Sequence, residues 1–163
     1  MKFTKKQLDR YSRQIILKKV GVIGQKKLLK SSVLIVGAGG LGSPIAIYLS
    51  ALGVGKIGIV DKDKVEISNL NRQIIFETND LKKEKAFAAV KKLKKINPEI
   101  SIKSFKKNLN SKNINQIGKE FHIIVDGSDN FKTRFLINDY CLKKKKILVS
   151  GAISKFDGQV YTF

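Results

Sequence analysis

Between Ser31 and Gly55 the chain runs for twenty-five residues without a charged side chain, although 28% of the sequence is charged. By length alone such a stretch could cross a membrane. Its middle reads Gly37-Ala38-Gly39-Gly40-Leu41-Gly42-Ser43-Pro44, and that density of glycine makes a tight turn where a span needs continuous helix. The segment therefore reads as strand, glycine turn, helix. A strand without a polar face has to be covered on both sides, as in the parallel sheet of an α/β domain.

Four more apolar runs of strand length join Val33–Val36: Ile57–Val60, Ile100–Phe105, Ile123–Val125 and Ile147–Val149. Helical patterns separate most of them. Pro44–Leu52 is apolar nearly all round and is expected to be buried. Lys82–Ile96 is amphipathic, with Phe87, Val90 and Leu93 expected inward. Phe131–Lys144 closes on lysines, which suit a helix C-terminus. Upstream, Thr4 and Gln7 form a capping-box pattern that opens a helix over residues 5–18, with Leu8, Tyr11 and Ile15 on one face. A short helix is expected around Gln25–Leu29. The fold expected is α/β and Rossmann-like, a single domain over residues 1–163. Its sheet is mainly parallel, with helices on both faces and N-terminal helices ahead of it.

Composition excludes several functions. The 33 basic residues against 13 acidic ones give a net charge of +20, yet only Arg10, Arg13, Arg72 and Arg134 among them are arginine. Duplex readers favour arginine, and single-strand binders interleave aromatics with basic side chains. Neither pattern is present, so solvated lysine faces are favoured over a polyanion patch, with no specific nucleic-acid partner and no membrane partner. One cysteine, Cys141, permits no intrachain disulfide and no cysteine-cluster zinc site, which suits a reducing, cytoplasmic setting. One histidine, His122, disfavours a Ser-His-Asp centre.

The chemistry begins at Gly37-x-Gly39-x-x-Gly42, placed after a strand and at the start of a helix. There the backbone can approach a phosphate and the helix N-terminus offers unpaired N–H groups. Asp61 closes the next strand, nineteen residues after Gly42, where an acid can accept hydrogen bonds from ribose hydroxyls. Together they point to an adenine-nucleotide site; the competing explanation is a glycine turn made only for helix–sheet packing. On these two features alone a nicotinamide or flavin oxidoreductase remains open.

Further residues narrow the choice. Arg10-Tyr11-Ser12-Arg13-Gln14 stands near the amino end. Asp61-Lys62-Asp63-Lys64-Val65-Glu66 and Ser68-Asn69-Leu70-Asn71-Arg72-Gln73 follow the second strand, and Asp126-Gly127-Ser128-Asp129-Asn130 comes later, with Arg134 and Asn138 beyond. The set, in this order, resembles the adenylylating enzymes that activate ubiquitin-like proteins. The bacterial branch of that family includes MoeB, ThiF and HesA, and the resemblance runs from about Arg10 to Phe163. It implies ATP and magnesium as cofactors and a ubiquitin-like sulfur carrier of molybdopterin or thiamine biosynthesis as partner. It also implies a homodimer and an adenylyltransferase activity that releases pyrophosphate.

By the same resemblance, Gly37, Gly39, Gly40 and Gly42 lie against the nucleotide and Asp61 holds its ribose. The segment Ser68, Asn69, Leu70, Asn71 and Arg72 belongs to the nucleotide site, with Asn69, Arg72 and Lys85 on phosphates. Asp129 binds the metal beside Asn130, and Arg13 reaches into the site of a second copy. Asp126 is expected to cap the turn after it, Arg134 and Asn138 to brace the neighbouring loop, and Cys141 to be a small core residue. Family members ordinarily continue past the Gly158-Gln159-Val160 strand with further strands, a loop over the carrier's tail and often zinc-binding Cys-x-x-Cys pairs. The expectation is therefore a fragment or truncated gene whose C-terminal part is missing. A nucleotide-binding or dimerisation module without activity is the remaining alternative.

Overall fold

The structure, a computed structural model, describes residues 2–163. Two helices come first, α1 (Lys5–Ile15) and α2 (Gly21–Lys30). The sheet and its helices follow as β1 (Ser32–Val36), α3 (Gly42–Leu52), β2 (Lys56–Val60), α4 (Lys85–Ile96), β3 (Ser101–Phe105), α5 (Ile114–Gly118), β4 (Ile123–Asp126), α6 (Phe131–Lys144), β5 (Ile147–Ser154) and β6 (Asp157–Thr162). Strand order is β3-β2-β1-β4-β5-β6, parallel throughout except for the antiparallel β5–β6 pair.

All five residues of β1 are buried, as a strand covered on both faces requires. Val33 and Ile35 face one cluster with Ile57, Ile59, Ala46, Ala89 and Leu93, under α3 and α4. Leu34 and Val36 face the other, with Phe121, Ile124, Ile137 and Tyr140, under α5 and α6. Register is held by a row of branched side chains across the sheet: Ile102, Ile57, Val33, Ile123 and Ile147. The chain reverses direction across the sheet at β1, with β2 on one side and β4 on the other. In open α/β sheets a crevice forms beyond the carboxyl ends of the strands at that point.

The N-terminal helices are tied to the body by Tyr11. Its side chain is fully buried, and its hydroxyl accepts a hydrogen bond from Asn97 Nδ2 at 2.9 Å. Arg10 donates to the carbonyl of Ile96 at the end of α4 (2.9 Å). The Thr4–Gln7 capping box is formed in both directions.

Several local expectations differ from the structure. Phe87 was expected inward and is 61% exposed, because α4 turns Ala86, Ala89 and Leu93 to the core. Small residues let that helix lie close to the sheet, and the large aromatic is displaced to the rim. Tyr48 of α3, in a segment expected to be buried, is 68% exposed, and Leu8 is exposed as well. The first helix ends at Ile15, three residues short of the expected bound, and α4 begins at Lys85 after an extended Glu84.

Glycine is required by geometry at Gly37. Its φ is +91°, and a Cβ there would stand 2.9 Å from the carbonyl oxygen of Gly127. Gly37→Ala is expected to cost about 1–3 kcal/mol of stability, measured by urea unfolding; an unchanged midpoint would contradict this account of the turn.

Candidate functional site

The crevice at the switch point is a cleft of about 510 Å³. Its floor is the glycine turn, and its walls are the ends of β1, β2 and β4 with the segments that follow β2 and β3. Gly37, Gly39, Gly40, Asp61, Arg72, Lys85, Asp129 and Asn130, all singled out in the sequence, line it together.

The turn is clamped by Asp61. One carboxylate oxygen accepts from the Ala38 N–H at 2.8 Å and the other from the Asp63 N–H at 2.8 Å. Each oxygen keeps a further lone pair for a ligand donor. Gly42 lets α3 start directly against the turn, since a Cβ there would collide with the Gly37 carbonyl. Gly39 and Gly40 differ. A Cβ at Gly39 would meet nothing closer than Gln73 Nε2 at 3.9 Å, and one at Gly40 nothing closer than the Arg72 stem at 3.7 Å. Neither glycine is demanded by the protein's own packing. The space their missing side chains leave opens into the cleft, as a backbone cradle for phosphate requires.

The cations sit beside that cradle. Lys85, in the first turn of α4, is only 7% exposed and forms no ion pair among the described residues. Its stem is packed away from solvent, while its Nζ is not among the buried atoms left without a partner, so the ammonium is open to the cleft that Lys85 lines. Arg72 is exposed, and its Nη1 donates to the Ser68 carbonyl (2.8 Å) and to Asn71 Oδ1 (3.1 Å). Ser68 and Asn71 thus orient the guanidinium and do not line the cleft themselves. Asn69 is buried and accepts from the Glu66 N–H through Oδ1, and Leu70 packs against the core. Of that five-residue segment only Arg72 lines the cleft.

The opposite wall is the turn after β4. Asp126 is 2% exposed; its carboxylate accepts from the Ser128 N–H and hydroxyl and from the Ser150 hydroxyl, so it caps the turn as expected. Asn130 caps α6 through the Thr133 N–H (2.9 Å). Arg134 donates to the carbonyls of Ser128 (2.7 Å) and Gly151 (2.8 Å), tying the turn to β5. Asp129 is left exposed, touched only by Asn130 Nδ2 at 3.4 Å. Arg13 is exposed on α1 and is not among the cleft residues.

Sequence reading missed Lys107 and Leu109 and gave no role to Gln73 and Ser128, although both stand in its motifs; all four line the cleft. The loop after β3 carries no motif that would have marked Lys107 or Leu109. Cys141 is buried in α6, and burial pushes its thiol up to about 11. It is a core residue, not a nucleophile.

An open parallel sheet with a phosphate cradle at its switch point defines a nucleotide-binding α/β domain. The chain belongs to the ThiF family, whose model matches residues 11–163. It is 48% identical over 163 residues to the sulfur carrier protein adenylyltransferase of Thermus thermophilus, covering 100% of this chain and 60% of that protein. It is 46% identical over 156 residues to the SAMP-activating enzyme E1 of Haloferax volcanii, covering 96% of this chain and 58% of the relative. The structure resembles that of E. coli MccB with AMPCPP and MccA, with a TM-score of 0.81 and 30% identity over 88% of this chain and 45% of the other. The chain thus spans about three fifths of the length of these curated relatives.

Asp61→Ala should lower the unfolding free energy by about 1–3 kcal/mol, since it removes a charged acceptor from two backbone N–H groups. Asp129→Ala, whose side chain holds nothing in place, should leave it unchanged. Equal losses in urea titrations of the two variants would contradict the division between a clamp and a side chain free of structural work.

Proposed function

We propose that the chain carries the nucleotide site of an adenylyltransferase that uses ATP to activate the C-terminal glycine of a ubiquitin-like sulfur carrier, in molybdopterin or thiamine biosynthesis. One observation supports it above the others. Lys85, a buried residue whose ammonium forms no ion pair among the described residues, shares a cleft with Arg72 and an open glycine cradle, an arrangement suited to a polyphosphate. A nicotinamide or flavin enzyme would explain the cradle and Asp61 but would give Lys85 and Arg72 no work.

In the reaction, a carboxylate oxygen of the carrier attacks the α-phosphorus of ATP. The new acyl–phosphate bond forms as the bond to the bridging oxygen breaks, and pyrophosphate leaves with the electron pair. A carboxylate is already a nucleophile, so no general base is needed. What the protein has to supply is alignment and neutralisation of charge on the phosphates. Lys85 and Arg72 supply positive charge, the Gly39–Gly40 backbone supplies close approach, and the free lone pairs of Asp61 accept from the ribose hydroxyls.

Among the described residues no three His, Cys, Asp or Glu side chains are gathered as a metal cage. That suits magnesium, which is commonly held by one or two carboxylates together with substrate phosphates. Asp129, exposed at the cleft with Asn130 beside it, is the residue that would hold it, and the ion would add neutralising charge at the phosphates. A homodimer with Arg13 entering the partner copy's site completes the proposal. Exposed Ile16 and Leu17 in the turn after α1, Val22 and Ile23 on α2, and Tyr48 and Leu52 on α3 support it as apolar side chains left at the surface of the N-terminal half.

ATP–pyrophosphate exchange tests the reading, run with the full gene product, magnesium and a Gly-Gly-ended carrier. Exchange that depends on the carrier is expected, with Arg72→Ala and Lys85→Ala each lowering it by roughly 100-fold or more. No exchange, or exchange indifferent to both variants, would overturn it.

A further inference from the structure

Gln73 follows Arg72 in the chain, is 4% exposed, and lines the cleft. Its backbone is fixed by the Gln73 N–H donating to the Asn69 carbonyl at 2.8 Å. Its side-chain Oε1 is buried and has no hydrogen-bond partner among the described residues. Three other buried polar atoms are orphaned in the same way, on Gln25, Glu99 and Tyr140, and none of those residues lines the cleft. A buried primary amide left unpaired is costly, and an apolar side chain of the same shape would pack without that cost.

Its position suggests what meets it. Nε2 stands 3.9 Å from the point a Cβ on Gly39 would occupy, so the amide lies beside the open cradle. A ligand group resting there lies against the glycine backbone in a cleft that Lys85 and Arg72 also line, and the group suited to that setting is anionic oxygen. Nε2 is the end beside the cradle and offers two N–H donors, while the acceptor Oε1 is the end turned into the protein.

We infer that Gln73 binds the nucleotide, donating its side-chain amide to a phosphate oxygen lying over Gly39 and Gly40. The assignment rests on the nucleotide reading above and adds a residue to it. Lys85 and Arg72 attract any polyanion to the cleft with little directional demand. A neutral, buried amide adds direction: it fixes the rotation of one phosphate group and so the face presented to the attacking carboxylate.

Calorimetric titration of the wild-type chain, Gln73→Met and Gln73→Glu with magnesium-ATP and with adenosine separates the possibilities. Gln73→Met should bind ATP about tenfold more weakly, the worth of one phosphate hydrogen bond, and bind adenosine as wild type does. Its thermal midpoint without ligand should equal or exceed that of wild type, because the orphaned carbonyl is gone. Gln73→Glu, which sets a carboxylate against the phosphates, should lose ATP affinity further and keep adenosine. Unchanged ATP affinity in Gln73→Met, or equal loss of ATP and adenosine, would overturn the assignment while wild-type ATP binding still stood. Should Gln73→Met fail to fold, ATP affinity retained by Gln73→Glu would overturn it equally. A wild-type chain that binds no ATP brings down the nucleotide reading and the Gln73 assignment together.

Discussion

At the carboxyl ends of β1, β2 and β4 three backbone segments come closer than side chains would permit, and the functional geometry follows from how that approach is held. Asp61 grips the Ala38 N–H from the end of β2. Gly37 takes a left-handed conformation against the Gly127 carbonyl at the end of β4, and Gly42 starts α3 hard against the Gly37 carbonyl. These contacts join both sides of the switch point to a single turn. They also leave Gly39 and Gly40 facing outward with room above them, at the mouth of a cleft whose other walls are fixed by Arg134 and Asn130.

The electrostatics of that cleft are arranged for a ligand and not for the protein alone. The other described lysines lie at least partly exposed, several in ion pairs such as Lys56 and Lys103 with Glu120, which together hold that carboxylate at about 2. Lys85 is buried without such a pair, and Gln73 is buried with an unpaired carbonyl. Both are unfavourable choices for folding, and the Lys85 ammonium and the Gln73 Nε2 end beside Gly39 are the groups that suit a polyphosphate. Sites that sacrifice stability in this way are where a sequence departs from the rules of its own core.

Much of this was legible beforehand, and the reasons are specific. The uncharged run around β1 could only be a doubly covered strand, and the glycine spacing with Asp61 marked the switch point because backbone geometry restricts those positions so tightly. Lys85 was separable from its neighbouring lysines only through the resemblance. What stayed hidden depended on distance across the fold. The buried face of α4 could not be told from periodicity, because alanines and not Phe87 fill the close approach to the sheet. Lys107 and Leu109 reach the cleft through a loop path that no local pattern encodes, and Gln73, though within the Ser68–Gln73 motif, carried no local sign that it is buried beside Gly39. Ser68, Asn69, Leu70 and Asn71 were grouped with Arg72 in one motif, whereas the structure gives them the work of shaping and orienting that arginine.

The central claim is that Lys85, a buried lysine without an ion-pair partner among the described residues, is kept for a bound polyphosphate at a cost to the empty protein. Thermal unfolding of Lys85→Met with and without magnesium-ATP measures both halves at once. The ligand-free midpoint should lie at or above that of wild type, while the rise that ATP produces in wild type should disappear. A variant that melts lower than wild type when empty and is still stabilised by ATP would contradict the claim.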